Sequence, residues 1–220
     1  MTEPAKRQLI LLRHGQTEYN ATDRMQGQLD TDLTELGRTQ AKTAAAELAT
    51  RGPARIVSSD LRRAFDTAVA LGDASSLPVA VDDRLRETHL GDWQGLTHLD
   101  VDELSPGARL EWRGNATMAP PGGESRIDVA RRSVPVVQEL VDTVPTWGDG
   151  TAGPVVLVAH GGLIAALTAA LLDLPVDRWP VLGGLSNTSW VQLTSHGEGD
   201  ELGWRLDVWN ASARVASDVL

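Results

Sequence analysis

The stretch Leu9–Asn20 reads LILLRHGQTEYN. Four apolar residues end abruptly in Arg13 and His14, with Gly15 next. A continuous apolar run of this kind is the pattern of a strand buried on both faces. The reading therefore predicts a strand that delivers a cation and an imidazole to its end. The pattern recurs as VVLVAHGG at Val155–Gly162: an apolar run, then histidine, then glycine. In an open parallel sheet, ligands bind beyond the carboxyl ends of the strands, so two such strands in one sheet bring His14 and His160 to a shared edge. The glycines let backbone approach a ligand closely. The turn through Gly161 and Gly162 opens a helix whose first amides favour an anion.

The segments around these two runs alternate between strand and helix patterns. LTELGRTQAKTAAAELATR (33–51) is rich in helix formers, with Leu36, Ala41, Ala44, Ala45 and Leu48 near helical spacing, and Gly52-Pro53 ends it. RIVSSD (55–60) predicts a short strand. LRRAFDTAVALG (61–72) predicts a helix with Leu61, Phe65, Ala68 and Leu71 on one side. VAVD (79–82) is a further strand candidate, and a helix is expected from about Glu124 to Thr143. LIAALTAALL follows His160 as another helix, and TSWVQLTS and GWRLDVW are two late strands with partial alternation. Alternating strands and helices predict an α/β three-layer sandwich, a mostly parallel sheet covered on both faces. Residues 91–123 look loop-like and polar. The reading takes 1–220 as a single domain, with about 91–150 inserted as a cap over the carboxyl edge of the sheet.

Composition sets bounds on function. The chain has 220 residues, 41% of them hydrophobic, enough for one sizeable core. It has no cysteine, which removes disulfides, thiolate catalysis and cysteine-based metal sites, and fits a reducing cytoplasm. No signal peptide pattern opens it, and the longest near-apolar stretch, Leu163–Leu172, is too short to span a bilayer. A cytoplasmic protein without a membrane partner is expected. The net charge of −10 lacks the footprint of a nucleic-acid binder. A small anion remains possible where a few arginines converge, because local field outweighs net charge at contact range. Seven of the nine aromatic residues are Trp. Trp190, Trp204 and Trp209 fall on the late strands, where an edge or partner surface could form a homodimer.

Several residues could do chemistry at that edge. Either histidine alone could be a satisfied structural group; the repeated strand–His–Gly pattern argues against this. No acid and histidine cluster near either strand end has ligand spacing, so neither a metal nor a cofactor is expected. In SSDLRRAFDTA (58–68), Arg62 or Arg63 follows the strand within one helical turn. One of them, with Arg13, could clamp a phosphate through bidentate hydrogen bonds. The other should point to solvent, since helix neighbours lie about 100° apart. In LRETHLGDWQG (85–95), Glu87 follows a short strand. A carboxyl group beside a phosphate has one useful task, proton donor and then proton acceptor.

LLRHGQTEYN, SSDLRRAFDTA, LRETHLGDWQG and VVLVAHGG, in that order, resemble the histidine phosphatase superfamily, also called phosphoglycerate mutase-like. The resemblance implies a phosphomonoesterase working through a phosphohistidine. His14 would be the nucleophile, and Arg13, Arg63 and His160 would hold the phosphoryl group. Arg63 is preferred to Arg62 because the family arginine directly precedes the alanine, here Ala64. Glu87 would protonate the leaving oxygen and then activate water. Asn20, Gln26 and the Gly161 amide would add contacts. Cofactor-dependent mutases of the family carry a longer, more basic insertion. Here LDVDELSPG (99–107) is acidic, and the region's few basic residues are Arg109, Arg113 and Arg126; this favours hydrolysis. RMQGQLDTDLTELGRTQA, GGESR and WRLDVWNASA are similar to the members that act on a glucosylated phosphoglycerate. That implies an ester bearing phosphate, carboxylate and hexose, and a step toward methylglucose polysaccharides. Arg113 or Arg126 would meet the carboxylate and Trp112 would stack on the hexose. A mutase, a broad-specificity phosphatase and a phosphate-binding module without turnover are the alternatives.

Overall fold

A computed structural model describes residues 6–144, 146–197 and 199–213; the ends of the expected 1–220 domain lie outside these residues. Six strands form one sheet: β1 (Gln8–Arg13), β2 (Arg55–Ser58), β3 (Val79–Val81), β4 (Val155–Ala159), β5 (Trp190–His196) and β6 (Gly203–Ala211). Their order is β3-β2-β4-β1-β5-β6. β1, β2, β3 and β4 pair in parallel, whereas β5 runs antiparallel to both β1 and β6. The mostly parallel sheet is as expected.

The two histidine-bearing strands are central neighbours. Their register pairs Leu9 with Val155 and runs to Arg13 with Ala159. His14 extends it by donating its backbone N–H to the Ala159 carbonyl at 3.0 Å. His14 and His160 therefore leave the sheet side by side.

Alternation of side chains splits the core into two layers. Ile10, Leu12, Ile56, Val156 and Val158 pack on one face with α2 (Glu35–Ala49) and α3 (Arg62–Ser75). Leu9, Leu11, Leu157 and Ala159 pack on the other with α6 (Arg126–Thr143) and α7 (Gly161–Leu171). Truncating any fully buried leucine here to alanine costs about 2–5 kcal/mol. Caps fix the helix starts: the Thr34 hydroxyl accepts the Gly37 N–H, and Ser125 and Asp128 form a reciprocal capping box.

Several expectations are corrected. Leu36 and Phe65 are not core residues; they are 48% and 36% exposed. The inward face of α3 instead carries Arg63, Ala64, Thr67, Ala68 and Leu71. That helix turns polar groups inward because the site, not the core, needs them. Residues 91–123 are not simply loop. They contain α4 (His98–Leu104) and α5 (Ala108–Gly114), and α4 opens with a Thr97/Asp100 capping box that the sequence carried all along. A short α1 (Glu18–Ala21) follows β1.

The span 91–150 also divides. Trp93, Val101, Leu96, Ala108 and Trp112 gather with Met25 and Leu90 in a small cluster of their own, whereas α6 and Trp147 belong to the main core. Trp190 and Trp204 are buried, and Trp209 is half-buried. The first two face the core and offer no partner surface.

Candidate active site

A cavity of about 530 Å³ lies beyond the carboxyl ends of β1, β2 and β4. Its floor includes Arg13, His14, Arg63 and Glu87, and its outer wall includes Trp112, Arg113 and Arg126 from α5 and α6. Asn20, Gln26 and Gly161 line it too. His160 is fully buried beside His14, with ring centroids 5.1 Å apart. Residues far apart in sequence thus converge as the strand-end rule requires.

His14 is only 2% exposed, and its Nδ1 lies 2.7 Å from the Gly15 carbonyl. A carbonyl only accepts, so Nδ1 carries the hydrogen and Nε2 keeps its lone pair. Burial, with the charges of Arg63 and Arg13, holds the His14 pKa well below the ordinary value. The ring is therefore a neutral base at pH 7. Burial and the same cations depress His160 likewise. His160 Nε2 lies 2.9 Å from Ser59 Oγ. Ser59 Oγ also accepts the Leu61 N–H at 3.3 Å.

Arg63 has no exposed surface, and its terminal nitrogens donate to the carbonyls of Gly27 and Leu29 at 2.7 Å each. Burial pushes its pKa down to about 10, so it remains charged at neutral pH. Arg62, by contrast, is a surface residue paired with Asp30 and Asp32. Arg13 donates to the Leu185 carbonyl. Arg13 Nε, Arg63 Nε, His160 Nδ1 and Trp112 Nε1 are buried without a partner. A buried donor left unsatisfied costs about 1–3 kcal/mol, so four around one cavity mark a place built for an acceptor.

Two amides present donors to the same space. Asn20 Oδ1 accepts from the Thr17 N–H and from Asn187 Nδ2, both at 3.1 Å, and Gln26 Oε1 accepts from the Thr17 and Thr31 hydroxyls. With both oxygens engaged, the NH₂ groups are left for a ligand.

Glu87 sits on the first turn of α7. One carboxylate oxygen accepts the N–H of Thr88 and Leu163 at 2.8 and 2.9 Å, and the other accepts the Gly162 N–H at 3.1 Å. The Gly162 and Leu163 amides are thus held by the protein's own carboxylate, whereas Gly161 lines the cavity. Gly15 and Gly162 answer a different need. A Cβ on Gly162 would stand 2.6 Å from Glu87 Oε1, and one on Gly15 would stand 2.4 Å from the Gly37 carbonyl oxygen. Both serve close packing within the protein, not approach of a ligand.

The outer wall differs. Arg113 and Arg126 make no ion pair among the described residues, and Arg113 helps lower the Arg126 pKa, after burial. Two guanidiniums held close without a carboxylate favour an incoming anion. The Arg126 guanidinium lies 5.9 Å over the Trp112 ring, and Trp93 meets that ring edge-on. One face of the expected hexose platform is therefore already covered. Five arginines (Arg13, Arg24, Arg63, Arg113, Arg126) and one carboxylate, Glu87, line the cavity. That local excess reverses the sign of the protein's net charge of −10.

Sequence reasoning missed the supporting residues. Arg132 donates to the Glu87 carbonyl and grips Glu124, and Gln28 donates to the same carbonyl. Thr67 accepts the Gly15 N–H, and Asn187 donates to the His14 carbonyl. These contacts go mainly to backbone, which leaves no residue-type signature. Among the described residues no group of three or more His, Cys, Asp or Glu is placed to hold a metal, and no helix is long and apolar enough to cross a membrane.

The family model of the histidine phosphatase superfamily (branch 1) matches residues 9–212. The chain belongs to that superfamily. A glucosyl-3-phosphoglycerate phosphatase of Mycolicibacterium vanbaalenii is 68% identical, over 97% of this chain and 99% of the relative. One from Mycobacterium tuberculosis is 65% identical over the same shares. Among histidine phosphatases of known structure, mycobacterial glucosyl-3-phosphoglycerate phosphatase in complex with VO3 superposes with a TM-score of 0.92. That pair shares 66% identity over 94% of this chain and all of the other.

Proposed function

We propose that the chain is a phosphomonoesterase that hydrolyses glucosyl-3-phosphoglycerate to glucosylglycerate and phosphate through a phosphohistidine at His14. The observation that carries it is the commitment of His14 Nδ1 to the Gly15 carbonyl, which leaves a neutral Nε2 among Arg13, Arg63 and His160. The relatives at 65–68% identity support the choice of ester.

In the first step the Nε2 lone pair attacks phosphorus, the P–O ester bond breaks, and the glyceryl oxygen takes a proton from the Glu87 carboxylic acid. In the second, water attacks the phosphoryl group, Glu87 takes its proton, and the P–N bond breaks to free His14 and phosphate. Phosphoryl transfer of this kind needs positioning and neutralisation of the equatorial oxygens more than further covalent chemistry. Arg13, Arg63 and the amides of Asn20 and Gln26 supply donors. His160 stands beside His14, near enough to meet an oxygen of the group seated there. The substrate carboxylate goes between Arg113 and Arg126, and the hexose lies against the outer wall with Trp112. The chain works as one domain, with about 91–123 as its cap.

Quenched single turnovers with labelled ester should trap acid-labile phosphate on His14, and glucosyl-3-phosphoglycerate should exceed 3-phosphoglycerate in kcat/KM. A phosphate that never appears on the protein rules the mechanism out. The same reading carries a homodimer through β6, which ends the sheet, and a cytoplasmic location. Sedimentation and cell fractionation test these.

A further inference from the structure

Gly183 and Gly184 line the cavity on the segment between α7 and β5. Glycine costs conformational entropy, so its use normally answers a need of the fold. Here the fold has none. Neither residue has a φ in the left-handed region, and a Cβ built on either would meet no atom within 4 Å. Gly15 and Gly162 are crowded by backbone or carboxylate, and Gly27 and Gly91 have positive φ; Gly114 is as open as Gly183 and Gly184 but does not line the cavity. A hinge is equally unsupported, because the segment is tied on both sides. Leu182 donates to the Trp179 carbonyl, the Leu185 carbonyl accepts from Arg13, and Ser186 donates to Asn210.

We infer that Gly183 and Gly184 are specificity-determining: they keep vacant the space that the glycosyl part of the substrate occupies. Leu185 is anchored to Arg13, at the phosphate end. The two glycines directly precede it on the same cavity wall, within about 8 Å of chain. A hexose entering there packs on bare backbone in the same cavity that Trp112 and Arg126 line. This rests on the proposed substrate only in taking the bulky group to be a hexose.

The test compares Gly183→Val and Gly184→Val with the wild type on glucosyl-3-phosphoglycerate and 3-phosphoglycerate. Melting temperature serves as the control for folding. The readout is the ratio of the two kcat/KM values. It should fall at least tenfold in one or both variants, with Tm no lower than wild type, and the Ala variants should fall between. A ratio unchanged in both Val variants overturns the inference, whether both esters are hydrolysed as before or lose activity together. The wild-type ratio separately reads the substrate proposal. A wild type indifferent to the sugar sinks that proposal, whereas a drop in ratio on substitution still supports the reserved space.

Discussion

The two strand ends Arg13-His14-Gly15 and Ala159-His160-Gly161 look alike in sequence and end in opposite states. His14 spends Nδ1 on the carbonyl of its own neighbour and keeps Nε2 free at the cavity floor. His160 spends Nε2 on Ser59, from another strand end, and buries Nδ1 without a partner. One pattern thus yields an outward lone pair and an enclosed ring. Their glycines differ as well. Gly15 admits the backbone of α2, whereas a Cβ on Gly161 would meet only the Arg13 side chain, at 3.6 Å, and it is the next glycine, Gly162, that admits the Glu87 carboxylate. A strand end sets where a ring starts, and its hydrogen-bond partner sets which nitrogen can react.

The strongest way to break this contrast is to exchange the histidines separately. His14→Gln should lower turnover of glucosyl-3-phosphoglycerate by about 10⁴-fold or more, as for loss of a nucleophile. Retention of even a tenth of wild-type phosphate release would make the contrast empty. His160→Gln should cost about 10²–10³-fold, the size of a lost donor to a developing charge. It should still label His14 in a quenched reaction. Equal losses for the two variants would mean that their different hydrogen bonds do not separate their roles.

Gly162→Ala sharpens the comparison at the second glycine. The new Cβ must displace the Glu87 carboxylate, and a misplacement of that scale costs about 10²-fold in kcat. Rescue of the leaving-group step should follow the acidity of the leaving alcohol. An activated ester such as p-nitrophenyl phosphate should lose less than the sugar ester.

The smallest effect is on stability against pH. Both histidines are held neutral in the folded chain, below the ordinary value of 6.5. Below pH 6.5 the unfolded chain binds more protons than the folded one, so stability falls as pH falls. Each histidine contributes a slope of up to about 1.4 kcal/mol per pH unit there. Denaturant melts from pH 7.5 to 5.0 should show this, and His160→Gln should remove roughly half of the slope. A slope unaltered by that substitution would mean that His160 takes its proton as readily folded as unfolded.

Much of the frame was legible beforehand, for reasons that particular elements make plain. β1 and β4 are runs of apolar residues because both faces are buried, and such runs announce themselves. α2 and α3 are legible from their apolar spacing, although Leu36 on the first and Phe65 on the second point outward. Propensity cannot tell which face of a helix serves a site. The cap helices α4 and α5 went unread because they are short and polar, with the capping box at Thr97 as their one local signal.

The order of residues along the chain therefore determined the strands, the edge they share and the residue types delivered to it, because periodicity and chain direction are local properties. The angle between helix neighbours said only that one of Arg62 and Arg63 faces the site; the family resemblance, through Ala64, pointed to Arg63. Only the tertiary structure decided which imidazole nitrogen is free, that Glu87 rather than a ligand takes the Gly162 and Leu163 amides of α7, and that Gly183 and Gly184 face open space. Apart from the His14 bond to its neighbour Gly15, those outcomes depend on contacts between segments tens of residues apart, and even the Gly15 bond is made to backbone, which carries no signature in the sequence.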